Sequence, residues 1–300
     1  MKNEKLIGLL ILFIIYLLAS VAGAFSFIYF EKINITYLLS IFLADVVATV
    51  VVYLGGVIFK TASVYDPYWS VQTFIIYVLL LFKFNNWNWG TILYLIPLAI
   101  YTVRLTGNFI YTFDSLKYID WRYRMLKEKT KYFYQVVNLL GICLFPTCVV
   151  YLASVPMFVF AEDGQFNPLQ FIGFVLMIGA ILLEFIADKQ MHYFRKHRKD
   201  KNEIINVGLW KYSRHPNYLG EISFWFMMYV FFIVSYPSQW YWIIGAIVNL
   251  LLFLFISIPM EEKHMMSYKP NLKIYQKTTS MLLLLPPKKE QNISSLEENN

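Results

Sequence analysis

The stretch LIGLLILFIIYLLASVAGAFSFIYF, Leu6 to Phe30, carries no charged residue. About 20 apolar residues in a helix cross the hydrocarbon core of a bilayer, so this run alone reads as a membrane span. Similar runs recur outward from it to Trp240–Ile258. Apolar residues make up 58% of the 300 and aromatic ones 19%, and the mean hydropathy is +0.52, which excludes an ordinary water-soluble domain. The first run is read as a retained span, because a cleaved signal would leave many spans still to explain. The fold expected is all-α, a polytopic transmembrane helical bundle of about seven to eight spans. The candidates lie at roughly 6–30, 35–59, 67–83, 89–107, 133–160, 168–187, 217–236 and 239–258. The third is short and opens at Pro67. The last two are parted only by a turn at Pro237 and Ser238, so seven spans remain an alternative to eight.

Charge sets the expected topology. The net charge of +7 is concentrated in two connections, one holding Lys117, Arg122, Arg124, Lys127, Lys129 and Lys131, the other running from Lys189 to Arg214. Loops that basic stay in the cytosol. The connection at Glu162 and Asp163 is acidic and is expected outside, which leaves both termini cytosolic. Taken one at a time, these lysines also read as topogenic signals attracted to anionic headgroups. The implied location is a bacterial inner membrane, or the endoplasmic reticulum in a eukaryote. Cys143 and Cys148 share one span, so neither a disulfide framework nor a CxxC metal site is expected. The tail KKEQNISSLEENN is polar and expected to be disordered, with its NIS tripeptide on the cytosolic side and so no glycosylation acceptor.

Ionisable residues inside spans are costly and mark cavities or partners. At the end of span six Glu184, Asp188, His192 and Arg195 follow at spacings of four, four and three, and so share one helix face. That face is either a stripe of intrahelical ion pairs or a polar wall leading from the membrane into the loop. At the end of span four Tyr101, Arg104 and Asn108 form a second stripe, although an Arg at a membrane boundary also snorkels for no functional reason. Asp66, in SVYDPYWS, is either a helix cap among interfacial aromatics or an acid. Asp45, in the middle of span two, has no partner that the sequence identifies. The densest segment is IINVGLWKYSRHPNYLGEISFW. Pro216 suits a first helical turn, which puts Arg214 and His215 at the positive end of a helix and Asn217, Tyr218 and Glu221 on its first turns. Such an end favours a phosphate-bearing ligand.

The block RHPNYLGE, preceded by Trp210 and Tyr212, resembles the C-terminal half of steroid 5α-reductases, sterol reductases and their bacterial relatives. ADKQMHYFRKHRK is similar to the helix end before it, and YDPYW with YTVR is similar to the N-terminal part of the same site. The resemblance runs from about Ser63 to Pro286, so the chain is expected to comprise N-terminal helices (1–62), a catalytic membrane domain (63–286) and a cytosolic tail (287–300). It implies that Arg104, Asp188, Arg195, Trp210, His215, Asn217, Tyr218, Glu221, His264 and Tyr268 bind NADPH, with Tyr275 assisting, and the phosphate-favouring helix end adds Arg214 to that set. It also implies that Asp66 and Tyr101 are catalytic, polarising the carbonyl of a lipophilic enone while hydride adds to the carbon–carbon double bond. Asp66 in its acid form would donate to the developing enolate oxygen. Membrane lipids and a lipophilic substrate entering from the bilayer are the implied partners, with no nucleic acid and no metal. Two positions depart from the pattern. Met260 stands where related reductases have an Arg, which bears on phosphate affinity, and Asp66 replaces a Glu, which bears on substrate geometry. Isoprenylcysteine carboxyl methyltransferases have a block similar to RHPNYLGE, so an S-adenosylmethionine-dependent methyltransferase is the alternative enzyme. A non-enzymatic channel or scaffold binding anionic lipid is the third reading.

Overall fold

The computed structural model describes residues 2–288; the greater part of the expected tail, from Lys289 on, lies outside the described residues. The chain is helical, and among the described residues there is no strand, only an isolated bridge between Ser213 and Ser280. The helices are α1 (Lys2–Lys32), α2 (Tyr37–Ile58), α3 (Tyr68–Phe84), α4 (Trp89–Thr112), α5 (Trp121–Thr130), α6 (Tyr134–Val137), α7 (Phe145–Asp163) and α8 (Gln170–His197). They are followed by α9 (Pro216–Ile233), α10 (Ile244–Leu252), α11 (Ile258–Met266) and α12 (Leu272–Thr278). Among the described residues seven helical stretches are long and apolar enough to cross a membrane, and the expected all-α polytopic fold is what the chain adopts. The seventh expected span, 217–236, corresponds to α9, which begins with the polar turns of Asn217 to Glu221 and is not among the seven, while the eighth, 239–258, lies within the stretch Pro237–Met266 that is. Several helices overrun the apolar windows, while α2, Tyr37–Ile58, falls just inside its own. α4 continues to Thr112, α8 to His197, and the last span to Met266, because backbone hydrogen bonding continues past the hydrocarbon core wherever no Pro or Gly stops it.

Two compact units emerge. The first comprises the chain up to Pro168 with Ser235–Gly245. In it α1 packs on α2, and α3 packs on both α4 and α7. Hydroxyl pairs tie the helices together: Thr49 Oγ1 and Thr147 Oγ1 are 3.0 Å apart, and Tyr65 OH meets the same Thr147 at 2.8 Å. In lipid, where apolar side chains gain little from meeting one another, such bonds and close packing hold helices together. A capping box starts α4, where Asn88 accepts from Gly90 and Thr91 amides and Thr91 Oγ1 takes the Asn88 amide. α6 enters α7 through a π turn at Asn138–Leu144.

The second unit comprises Leu169–Val234 and the chain from Ala246 onward. Its centre is the α8–α9 pair, which glycines bring into backbone contact. A Cβ on Gly220 would lie 2.6 Å from Glu184 Cβ and 2.9 Å from the Ala180 carbonyl, and one on Gly173 would lie 2.6 Å from Phe231 Cα. No larger residue fits either position without moving a helix. Beyond α12 the chain runs back beside the start of α9: the Arg214 amide donates to the Ser280 carbonyl at 2.9 Å and the Leu285 amide to the Tyr212 carbonyl at 3.1 Å.

Candidate functional sites in the two units

In the first unit, a short 3-10 turn at Ala62–Val64 delivers Asp66 to the start of α3. The N-cap position is Pro67, and Asp66 makes no capping bond. Its carboxylate instead accepts the hydroxyl of Tyr123 on α5, while Arg122 Nη2 stands 3.9 Å from the same oxygen. Arg122 is itself held by Asp120, Nε to Oδ1 at 2.8 Å, and Asp120 also caps α5 through the Arg122 amide. Asp66 keeps 23% of its side chain exposed, enough for a ligand to reach it. Tyr101 is fully buried on α4, with its ring edge-on to Trp69 at 6.3 Å between centroids. Arg104 follows one turn later and is half-buried. Sequence reading placed Tyr101 beside Asp66 as its fellow donor; the phenol bonded to Asp66 is that of Tyr123, which the reading passed over. Its only local signal was WRYR, a tyrosine inside an otherwise basic connection.

In the second unit, the polar stripe of α8 grades outward: Glu184 is buried, Asp188 and His192 are half-buried, and Arg195 is exposed. Trp210 is buried beside it, donating its indole N–H to the Ala187 carbonyl at 3.0 Å. A tight turn at Gly208, with φ of +60°, makes this approach possible, and Gln190 Oε1 takes the next amide, that of Leu209, at 2.9 Å. At the start of α9, His215 is buried and stacks on Tyr218, 5.3 Å between centroids and 6° between planes. Asn217 lies half-buried between them in sequence, and Glu221 is buried one turn on, accepting the Trp225 indole N–H at 2.7 Å.

Glu262 on α11 organises this end of the unit. Its Oε1 accepts from Arg214 Nε at 2.7 Å and from His215 Nε2 at 3.0 Å, and its Oε2 accepts from Gln276 Nε2 at 2.7 Å. Arg214 spends a further nitrogen on the carbonyls of Gln276 and Thr279, at 2.7 and 3.0 Å. The Arg214 guanidinium, expected at a ligand phosphate, is therefore engaged in fixing α9 to the chain after α11. Tyr275 supports the same corner, giving its hydroxyl to the Trp210 carbonyl and lying 3.3 Å from that of Ser213. His264, in the last turn of α11, meets Tyr268 just past the helix edge-on at 5.3 Å. Beside Tyr268 is Lys269, 9% exposed. Burial, and then the Arg198 and Arg195 guanidinium groups, push its pKa below the ordinary lysine range. Arg195, Arg198 and Lys269 thus lie within electrostatic reach of one another, with the Glu261 carboxylate offsetting part of their repulsion. Both Glu262 and Lys269 escaped the sequence reading, Lys269 although it is the next residue to Tyr268.

The fold defines a polytopic helical membrane protein with polar clusters at the ends of its helices. The chain belongs to the family described as "Protein of unknown function (DUF1295)", whose model matches residues 52–279. It is also similar to "Uncharacterized protein C594.04c" of Schizosaccharomyces pombe (strain 972 / ATCC 24843), at 25% identity over 179 residues, which is 52% of this chain and 52% of the relative. The chain thus spans about half the length of that curated relative. No solved structure matches it.

Proposed function

We propose that the protein is a membrane-embedded, NADPH-dependent reductase of a lipophilic enone, such as a 3-oxo-steroid, a sterol or a related lipid. The observation that carries the reading is the convergence of Arg195, Arg198 and the buried Lys269 beside His264 and Tyr268. Unlike-charged partners are the usual company of a buried cation. Two guanidinium groups against the single Glu261 carboxylate leave an excess of positive charge there, and a diphosphate with a 2′-phosphate is an anion of suitable valence. The flat face of the His215–Tyr218 stack, fixed from behind by Glu262, suits an aromatic ring of the same cofactor.

When bound, NADPH supplies a hydride to the β-carbon of the enone. The protein's part is at the oxygen. As that carbon gains hydride, the π electrons move to the carbonyl oxygen, which then accepts a hydrogen bond or proton from the Asp66–Tyr123 pair. Arg122, held by Asp120, keeps positive charge 3.9 Å from Asp66 and so favours negative charge developing there. The α-carbon afterwards takes a proton from solvent as the carbonyl re-forms and any proton given to its oxygen returns to Asp66, so that one hydride and one proton have been added in all. Tyr101 and Arg104 remain part of the proposal as the buried wall and the polar rim of α4. Asp188, Trp210, Asn217 and Glu221 remain as cofactor contacts. Arg214 enters it as a positioning residue.

The test is to purify the full chain in detergent, measure its melting temperature with NADPH, NADH and S-adenosylmethionine, and follow NADPH oxidation over a panel of steroid and prenyl enones. Stabilisation by NADPH at 100 times its Kd is worth about 2.7 kcal/mol. Stabilisation by S-adenosylmethionine alone would transfer the protein to the methyltransferase reading. The side of the membrane is tested separately: with the basic connections cytosolic, Lys196→Cys is unreactive to an impermeant thiol reagent in intact cells and reactive after lysis.

A further inference from the structure

A cavity in the first unit lies away from Asp66, among α1, α2 and α3, and has a volume of about 470 Å³. That is within the roughly 300–1,000 Å³ of small-molecule sites. Its walls are mostly apolar, including Gly23, Ala24, Ile41, Ile76 and Leu79; Ser20, whose hydroxyl is spent on the Tyr16 carbonyl, and Tyr68 add hydroxyl groups, and charged or amide side chains enter at two places. One is the end formed by Glu31 and Lys83, which pair with each other, the Lys83 ammonium sitting 4.8 Å over the Phe27 ring. The other is interior. Asp45 and Gln72 line the cavity at 3% and 4% exposure, and Gln72 Nε2 donates to Asp45 Oδ2 at 3.0 Å.

That bond leaves Asp45 Oδ1 and Gln72 Oε1 buried, and among the described residues no hydrogen-bond partner reaches either. Each belongs to a group whose other atom forms the 3.0 Å bond, so the two oxygens are near neighbours. An ionisable residue at mid-membrane depth ordinarily faces a partner or a ligand. Asp45 is eight residues from Tyr37, about 12 Å along α2, and from Gln72 to Lys83 is roughly 16 Å along α3. The cavity therefore has a polar point inside and an apolar length of about that size leading away from it.

We infer that this cavity binds a lipophilic molecule carrying one hydroxyl group: an isoprenoid, long-chain or sterol alcohol. A hydroxyl, with one donor and one acceptor on a single atom, satisfies both orphan atoms at once. With Asp45 in its acid form, the hydroxyl oxygen accepts from Oδ1–H and its own hydrogen goes to Gln72 Oε1. An ether or a ketone accepts from Asp45 but leaves Gln72 Oε1 without a donor, and a plain acyl chain satisfies neither. The inference stands apart from the reductase reading, since Asp66 and Tyr123 are not in the lining.

The experiment measures equilibrium binding of tritiated farnesol and tritiated cholesterol to the detergent-purified full chain, each competed by its own unlabelled alcohol, its methyl ether and the corresponding aldehyde or ketone. The alcohol is expected to compete at a concentration at least tenfold below the other two, and the better of the two labelled probes distinguishes an isoprenoid from a sterol source. Gln72→Leu is expected to bring alcohol and ether within a factor of two of each other. Ala24→Phe, which fills the cavity, is expected to abolish saturable binding. Leu79→Trp, a change at a lipid-exposed wall position, gives the same readout with less demand on packing, and circular dichroism checks that each variant keeps its helicity. Equal competition by alcohol and ether in the native protein overturns the inference. So does saturable binding unchanged in both cavity-filling variants, or a tenfold preference for the matching amine, which would mean an ionised Asp45 seeking a cation. NADPH-linked activity is not used as a readout, so failure here leaves the reductase proposal untouched.

Discussion

Two carboxylates, Asp66 in the first unit and Glu262 in the second, each meet an arginine, yet their surroundings differ. Glu262 uses both oxygens, accepts from Arg214, His215 and Gln276 at 2.7 to 3.0 Å, and is 12% exposed. Asp66 accepts the Tyr123 hydroxyl at one oxygen, keeps Arg122 at 3.9 Å, and is 23% exposed. The first is saturated and joins segments of chain. The second has hydrogen-bonding capacity left for something that arrives. A paired carboxylate is thus read from how much of its capacity the protein has already used, and the presence of an arginine beside it decides little.

The largest expected effect tests the saturated partner. Glu262→Ala leaves Arg214 and His215 without their shared acceptor, and should destabilise the second unit by about 3–5 kcal/mol in a denaturant titration. If the loss is below about 1 kcal/mol, Glu262 is no more than a surface pair and the contrast collapses. Asp66→Asn probes the other side. It should lower kcat by about 10²–10³ while leaving NADPH affinity and melting temperature near their native values, because its partner in the reaction is the developing oxyanion. Tyr123→Phe should follow the same pattern. Full activity in both variants would remove this pair from the chemistry and return attention to Tyr101.

Arg195→Ala should weaken NADPH binding by about 1.5–3 kcal/mol, as expected for a charge-assisted hydrogen bond. Lys127→Ala, on the other basic connection, should change it little, and the reverse result would exchange the two connections. The helix contact at Gly220 gives a purely structural control of similar size. Gly220→Val should destabilise the α8–α9 pair by about 1–3 kcal/mol through overpacking against Glu184 and Ala180.

The smallest effect is a pH dependence. Lys269 titrates below the ordinary lysine value of 10.5 in the folded protein, so between that lowered pKa and 10.5 the unfolded chain holds more protons than the folded one. Stability therefore rises with pH across this window, by up to about 1.4 kcal/mol per pH unit, and is penalised below it. Lys269→Met should flatten the slope. An anion bound beside Lys269 should also flatten it by restoring the ammonium, so the slope measured with saturating NADPH reports directly on the proposed contact.

What the sequence determined by itself is the set of spans and the polar faces of α4 and α8. Both are carried by neighbours three, four or seven residues apart, and helical geometry turns such spacings into faces without help from the rest of the chain. Where the chain ended a helix differently, as at Thr112 and His197, the apolar run marked the bilayer core and the hydrogen bonding simply continued. Only the tertiary structure decided which groups meet. Tyr123 reaches Asp66 across 57 positions, Arg214 reaches Glu262 across 48, and Gln72 reaches Asp45 across 27. No periodicity records such separations. A residue's own neighbours fix the direction in which it points, whereas its partner is fixed by which helices pack together, through contacts such as Gly220 on Glu184 and Thr49 on Thr147 that single-residue patterns do not carry.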